Sequence, residues 1–394
     1  MKRFLWIALI GVTLPVFAYA QIDEELTVPE EQVELPAPGQ LLVEEFYRGE
    51  ITEVVTERQE EFGLNGTQPY FQEVKVRLMT GPRAGEEAVI EYGALRENQK
   101  LKVGEQVILV QPAPLPGTEA KLYVFEKYRL NLVFILLALF VGLAVIFARW
   151  RGVTSLVGLG VSISVLTFYV VPNIVSGENP LVVSLLGSFV IAVVSIYLAH
   201  GFSRRTSVAV VSTLITIGIA IVLAMGAVAF LDLSGAGSEE AYFLQTSPIE
   251  NLNLKGLLLG AIIIGALGVL DDITTAQAAA VDEIRKANPK LSRSELFIRG
   301  MSVGREHITS LINTLALAYV GTSLPALLLF TVYQRPIWVV ANSEGIVEEV
   351  VRTLVGSSAL MAAVPITTLL AAYLLSGRGG ASQTSSSGVP GHTH

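Results

Sequence analysis

Seven apolar segments, each long enough to cross a lipid bilayer as a helix, constrain this chain more than any other feature. The hydrocarbon core of a bilayer is about 30 Å thick, and a helix needs roughly twenty apolar residues to span it. Only 16% of the residues are charged, against roughly 25% in an ordinary soluble protein. The sequence predicts a polytopic α-helical membrane protein with about seven transmembrane helices across residues 130–376. The segments are 130–148, 153–171, 181–199, 207–231, 256–271, 309–333 and 351–375.

The N-terminus, residues 1–20, has the pattern of a secretory signal peptide. Two basic residues follow Met1, an apolar run comes next, and Ala18 and Ala20 are the small residues of a cleavage site. The alternative is a retained anchor helix, and in either case the residues that follow leave the cytoplasm. The acidic, proline-bearing stretch 21–40 then predicts a linker.

Residues 41–111 are predicted to form a small extracytoplasmic β-barrel of the OB or SH3 kind. Apolar and polar residues alternate there in short segments separated by turn residues, as in strands with one buried face. Four or five short strands of this type are typical of a small barrel. The predicted strands are 50–55, 71–78 and 87–92, and residues 102–110 are predicted to form a turn followed by a last strand. The proline-rich start of residues 112–129 predicts a second linker.

Charge is divided unevenly along the chain. Residues 21–128 carry 21 acidic and 10 basic side chains, and the remainder carries 14 acidic and 17 basic ones. Neither part has the basic footprint of a nucleic-acid-binding protein. Basic residues are concentrated in alternate loops, which the positive-inside rule makes cytoplasmic. This orientation places the β-domain outside a bacterial inner membrane and the C-terminus inside, with a Gly/Ser-rich, disordered tail over residues 377–394. The basic residues are Arg149, Arg151, Arg204, Arg205, Arg285, Lys286, Lys290, Arg293, Arg299, Arg305 and Arg378.

The segment between the fifth and sixth apolar segments, residues 272–308, is helical in pattern. Asn288 and Pro289 interrupt the helical periodicity, and Ser292 with Glu295 gives the sequence pattern of a capping box. We therefore expect a broken helical hairpin that lies on or under the membrane.

Two adjacent aspartates, Asp271 and Asp272, end the fifth apolar segment and are the first candidates for a functional site. An aspartate at the centre of a membrane helix costs about 2.5–3.5 kcal/mol, so an acid within the membrane usually has a function, such as binding an ion or a proton. The alternative is that either carboxylate caps a following helix through the amides of Thr274 or Thr275 and is otherwise solvated at the membrane interface. Because adjacent side chains on a helix point about 100° apart, at most one is expected to face a pathway.

Small and polar residues in the fifth and sixth segments complete the candidate site. Gly256, Gly260, Gly265 and Gly268 favour close packing of helices; alternatively they permit a broken helix whose carbonyls bind a cation. Asn313 is expected to make a hydrogen bond between helices. We expect Gly265, Gly268 and Asn313 to shape a site around the two aspartates.

The stretch from about 255 to 330 resembles the YibE/F family of bacterial membrane proteins, and the likeness extends more loosely over all seven segments and the exported domain. The resemblance implies a permease-like protein. The family has one acid at the point where this chain has Asp271 and Asp272. The motifs that carry the resemblance are Gly265–Asp272, Asn288–Ser292 with Glu295–Phe297, Gly300–Arg305, and Asn313–Gly321 with Pro325.

The sequence excludes several classes of enzyme. The chain has no cysteine, which rules out thiol catalysis, disulfides and cysteine-ligated zinc. No phosphate-binding loop occurs. Residues 300–304 have the Gly-x-Ser-x-Gly spacing, but they fall in a segment of helical pattern and not at the strand-to-helix turn of a nucleophile elbow. The predicted function is a non-enzymatic, permease-like protein that moves a small solute or ion across the inner membrane, without a cofactor or a metal. Its predicted partner is the lipid bilayer, and not nucleic acid. The alternative is a non-transporting scaffold whose exported β-domain binds an envelope protein.

Overall fold

The computed structural model of the protein describes residues 44–59, 70–94, 97–112, 121–245, 249 and 252–375. The chain divides into two units between Tyr128 and Arg129. The predicted signal peptide (1–20), the first linker (21–40) and the C-terminal tail (377–394) lie outside the described residues and stay predictions.

The described part of the first unit contains five antiparallel strands in the order β3-β2-β1-β4-β5. The alternating segments predicted from the sequence fall in β1 to β4, where one face of each strand is buried and the other faces solvent. Each predicted strand is therefore confirmed. The strands are β1 (Glu45–Gln59), β2 (Tyr70–Leu78), β3 (Glu87–Ala94), β4 (Gln106–Gln111) and β5 (Tyr123–Lys127).

The long strand β1 curls this sheet into a half-barrel. Its first residues pair with β4 and most of its length pairs with β2, with two shifts of register against β2. Such shifts bend a strand and increase its twist. A Cβ on Gly49, on the buried face of β1, would overlap the side chain of Val76, so only glycine fits there. The buried core consists of Tyr47, Ile51, Val74, Val76, Leu78, Ile90, Leu101, Val107 and Leu109.

Strand β5 lies within residues 112–129, which the sequence analysis treats as a linker. None of its residues is fully buried, so it lacks the clear alternation by which the other strands are predicted. It pairs with β4 and extends the β-domain to Lys127.

Nine α-helices and one π-helical turn occur in the described part of the second unit. They are α1 (Leu130–Val165), the π-helical turn Leu166–Val170, α2 (Val171–Val175), α3 (Pro180–His200), α4 (Arg204–Phe230), α5 (Glu239–Gln245), α6 (Leu254–Ala287), α7 (Arg293–Val332), α8 (Ile337–Ala341) and α9 (Glu344–Leu374).

Five helical stretches of the described chain are long and apolar enough to cross a membrane, as a multi-pass membrane protein requires. The first of them contains both of the first two predicted segments. The predicted segment 309–333 lies in α7, which is not among the five. The stretches are Leu130–Val175, Pro180–His200, Arg204–Phe230, Leu254–Ala287 and Glu344–Leu374.

A break at Arg149 divides the first of these stretches. Arg149 has φ 53° and ψ −136°. Residues other than glycine rarely adopt a positive φ. The 46 residues of this stretch would measure roughly 69 Å as one straight helix, more than twice the thickness of a bilayer core. The break lies between the first two predicted segments, 130–148 and 153–171.

Helices α6 and α7 form the helical hairpin that the sequence predicts. Helix α6 ends at Ala287, directly before Asn288 and Pro289. Helix α7 begins with the predicted capping box, in which the hydroxyl of Ser292 accepts from the amide of Glu295 and the Glu295 carboxylate accepts from the amide of Ser292. Both ends of the connection are therefore confirmed.

Helices α4, α6 and α9 pack against one another at the centre of the second unit, with α3 against α4 and α6. Helix α7 packs on α6 and α9, and α1 packs on α3. Small residues such as Ala220, Ala224, Ala359 and Ala363 are buried between them. In lipid, small side chains let helices approach closely enough for good van der Waals contact.

A fully buried amide, that of Gln277 in α6, joins three of these helices. Its Nε2 donates to the carbonyl oxygen of Gly300 in α7 (2.9 Å) and to the hydroxyl of Thr368 in α9 (2.8 Å). A Cβ on Gly304, one turn along α7, would overlap Val364 of α9 and lie 3.1 Å from both atoms of the amide group. The glycine therefore lets α7 come close to α6 and α9.

Candidate functional site

Asp271 and Asp272 both line a cavity of about 320 Å³ between α1, α3 and α6, which we call the acid cavity. The hydroxyl of Ser195 in α3 donates to Oδ2 of Asp271 at 3.2 Å. Asp271 is half-buried, whereas Asp272 is exposed. The remaining polar wall comes from Ser155 and Ser162 of α1 and from His200 of α3. A carboxylate is therefore held inside the helical bundle by a single hydroxyl group.

Helical spacing explains which residues reach the acid cavity. Ile264, Leu267, Gly268 and Asp271 recur every three or four residues along α6, so they share one face of the helix. Asp272 lies at the edge of this face and still contributes to the wall. Both carboxylates therefore belong to the wall of one cavity, in which Asp271 is half-buried and Asp272 is exposed. That at most one of them faces a pathway stays a prediction.

The capping interpretation of the two aspartates is wrong. Helix α6 runs without interruption from Leu254 to Ala287, so no helix begins after Asp272. The hydroxyls of Thr274 and Thr275 instead donate to the backbone oxygen of Asp271, at 3.2 and 2.9 Å. The same continuity removes the alternative of a broken helix with free carbonyls.

The other predicted site residues do not all lie together. Gly268 lines the acid cavity, and a Cβ there would meet no atom within 4 Å. Gly265 faces α7, where a Cβ would lie 3.8 Å from the hydroxyl of Tyr319. Asn313 is exposed on α7 and lines none of the cavities that we describe. Of the four glycines, Gly260 fits the packing interpretation best, since a Cβ on it would overlap the hydroxyl of Ser184 in α3.

A second cavity, of about 530 Å³, adjoins the acid cavity, and we call it the basic cavity. The two cavities share His200 and Asp272 in their walls. Arg151, Arg205 and His307 bring further basic side chains to the basic cavity from α1, α4 and α7. Asp272 thus lies where a serine-lined space and a basic space meet.

Several residues of these walls are not predicted from the sequence. His200 and Ser195 carry no local pattern that marks them as site residues, and Arg151 and Arg205 stand out only as indicators of membrane orientation. The side chains come from helices far apart in the chain, so no local spacing connects them with the aspartates. The signal that could have pointed to His200 is its position at the end of an apolar segment, next to the basic loop with Arg204 and Arg205.

Metal binding has no support within the part of the chain that the structure describes. No group of three or more His, Asp or Glu side chains there could hold a metal ion. His200, Asp272 and His307 all line the basic cavity, but they do not form such a group.

A family model described as YibE/F-like protein matches residues 136–377, which is more than half of the chain. The match confirms the resemblance that the sequence motifs carry. It covers every residue of the acid and basic cavities named above. No curated protein and no solved structure matches the chain.

Proposed function

We propose, from the premise that the chain belongs to the YibE/F-like family, that it is a permease-like protein that moves a small solute or ion across the bacterial inner membrane. Asp271 is the residue that binds a proton or an ion in this proposal, and Asp272 lies at the entrance to its cavity. The proposed protein is not an enzyme and needs no cofactor.

The observation that carries the proposal is the half-buried carboxylate of Asp271 within a cavity of the bundle. Among the described residues, Ser195 is its only hydrogen-bonding side chain. Ionisable groups at membrane depth are costly, and they occur mainly along ion and proton pathways. The capping role that could have explained the charge is removed by the continuity of α6. Solvation at the membrane interface suits the exposed Asp272 better than the half-buried Asp271.

The proposal includes seven membrane crossings. The stretch Leu130–Val175 counts as two of them, one on each side of Arg149, and α7 counts as another. The positive-inside rule orients the bundle with the β-domain outside and the C-terminus in the cytoplasm. We assign the β-domain to the OB type, because the order β3-β2-β1-β4-β5 is that of an OB barrel opened between β3 and β5.

Ion flux through purified protein tests the transport proposal. Full-length protein is reconstituted into liposomes that contain a pH-sensitive dye, and the internal pH is followed after gradients of inorganic cations and anions are imposed. Asp271→Asn keeps the shape of the side chain but removes its charge. We expect this variant to abolish a flux that the unchanged protein supports.

The matched control is Glu283→Gln, which removes one negative charge from the same helix. Glu283 lines neither cavity, and its carboxylate pairs with Lys286 at the surface. Unchanged flux in Asp271→Asn, at a normal level of inserted protein, would contradict the proposal. Absence of flux for every ion would favour the scaffold, in which the exported β-domain binds an envelope protein and the helices anchor it.

A further inference from the structure

We infer that the basic cavity binds a small oxyanion of the phosphate type. The inference rests on the proposed function and names the class of ion that the transporter would take. The basic side chains of the cavity come from four helices: Arg151 comes from α1, His200 from α3, Arg205 from α4 and His307 from α7. Four basic side chains from separate helices therefore surround one space.

The guanidinium groups in this wall have few partners of their own. Arg151 is exposed and makes no ion pair among the described residues. Arg205 lies 4.0 Å from the carboxylate of Asp282, but that carboxylate lies only 2.8 Å from Lys286. Each guanidinium has five N–H donors and is charged at any physiological pH. The wall therefore has more cationic N–H donors than the protein has acceptors for them.

His307 also lines the basic cavity. Its Nδ1 has almost no accessible surface and no hydrogen-bond partner among the described residues, so that atom faces the packed interior and not the space in which an ion would lie. His307 therefore contributes to the wall as a basic side chain and is no separate indication of a ligand.

The size and the donors of the basic cavity fit a phosphate-type ion better than a bare halide. Its volume of about 530 Å³ lies within the range of small-molecule pockets, roughly 300–1,000 Å³. Arginine binds phosphate and carboxylate through two parallel N–H···O bonds. The hydroxyls of Ser310 and Thr275 also line the cavity and add neutral donors. A tetrahedral oxyanion has enough oxygens to accept from several of these groups together.

Asp272 provides the link between this anion and the acid cavity. It is the only acidic side chain among the described residues of the basic wall, and its negative charge opposes an anion. Removing that charge should therefore strengthen anion binding, whereas removing an arginine should weaken it. Because the two substitutions change the phosphate affinity in opposite directions, they distinguish an effect of charge from a loss of folding, which would weaken binding in both.

Phosphate binding to the purified full-length protein tests the inference. The protein is placed in nanodiscs of phosphatidylcholine, and the dissociation constant of inorganic phosphate is measured by titration calorimetry. A charge-assisted hydrogen bond is worth about tenfold in affinity or more. We expect Arg205→Gln and Arg151→Gln each to weaken binding by about tenfold, and Asp272→Asn to strengthen it.

The matched control is Arg204→Gln, which removes the same charge one position earlier in α4. Arg204 is exposed and does not line the cavity. We expect its dissociation constant to equal that of the unchanged protein. Arg151 and Arg205 lie on different helices. If one of the two variants fails to fold, the phosphate affinity of the other still tests the inference.

A phosphate ion in solution and the headgroup of an anionic lipid would both satisfy this chemistry, and the lipid composition separates them. Phosphate binding that persists when phosphatidylglycerol is added to the nanodiscs indicates a soluble anion. If phosphatidylglycerol displaces phosphate, the site binds the lipid headgroup. The same conclusion follows if native mass spectrometry shows that phosphatidylglycerol stays bound to the protein and that only Arg205→Gln abolishes this. The inference is overturned if neither ligand binds, or if Arg205→Gln and Arg204→Gln behave alike.

The outcomes also separate this inference from the proposed function. Phosphate binding with the expected signs, but without any flux in liposomes, supports the anion site and contradicts transport. Flux that requires Asp271 but is indifferent to Arg151 and Arg205 supports transport and contradicts the anion site.

Discussion

Replacing Gly304 by alanine tests how closely α7 packs on the centre of the bundle. A Cβ there would overlap the side chain of Val364 and lie 3.1 Å from both Nε2 and Oε1 of Gln277. Overpacking of this kind costs about 1–3 kcal/mol. Alanine is about 0.8–1.0 kcal/mol better than glycine in a helix, so the net destabilisation of Gly304→Ala should be about 0–2 kcal/mol.

Gly321→Ala is the matched control, because it makes the same substitution in the same helix where a Cβ meets nothing within 4 Å. This variant gains helix propensity without overpacking. The two variants should therefore differ in free energy of unfolding by about 1–3 kcal/mol, the overpacking cost alone. Reversible unfolding in mixed detergent micelles, followed by circular dichroism, measures the difference.

A second substitution identifies the origin of the difference. Val364→Ala shortens the side chain that the new methyl group would overlap, so Gly304→Ala should cost less in that background than in the unchanged protein. Equal stability of Gly304→Ala and Gly321→Ala would refute the close approach of α7 to α9. An equal cost of Gly304→Ala in both backgrounds would refute the assignment to Val364.

Three further predictions concern other parts of the molecule. Cysteines introduced at Ser238 and Ser294 of this cysteine-free chain should differ in labelling by an impermeant reagent on intact cells, and equal labelling would contradict the proposed orientation. A soluble fragment of residues 44–128 should melt with a β-type circular dichroism spectrum at a higher temperature than residues 44–111, because only the longer fragment contains β5; equal melting would assign β5 no stabilising role. Glu344→Gln should speed hydrogen exchange at the Ser234 amide, which donates to the Glu344 carboxylate at 2.6 Å, and unchanged exchange would contradict that bond.

Much of the fold follows from periodicity, because burial in a sheet or in a helical bundle imposes a repeat on the sequence. The strands β1 to β4 are predicted from alternation, and the α6–α7 connection is predicted from Pro289 and the Ser292 cap. Strand β5 is missed because its side chains are mostly exposed and carry no alternation. The continuity of α6 through Asp271 and Asp272 is missed because charged residues suggest the end of an apolar segment, although they do not break a helix.

The candidate site is predicted only in part, because its residues come from separate helices. Asp271, Asp272 and Gly268 stand out in the sequence of α6, and they do line one cavity. The exposure of Asn313 depends on which face of α7 packs on α6 and α9, and its own segment does not reveal that face. His200 and Arg151 line the cavities because α3 and α1 pack together. No local pattern in a single sequence reveals that packing.

The amide of Gln277 has a consequence for the order in which the ribosome makes the bundle. Its partner Thr368 is encoded 91 residues later, which corresponds to roughly 5–20 s of synthesis at ordinary rates. Over that interval the nascent chain contains α6 and then α7, but the side of α6 that α9 covers is still open. The centre of the bundle therefore closes only when the last of the described helices has been made, and insertion of α9 completes a core that was begun with α4 and α6.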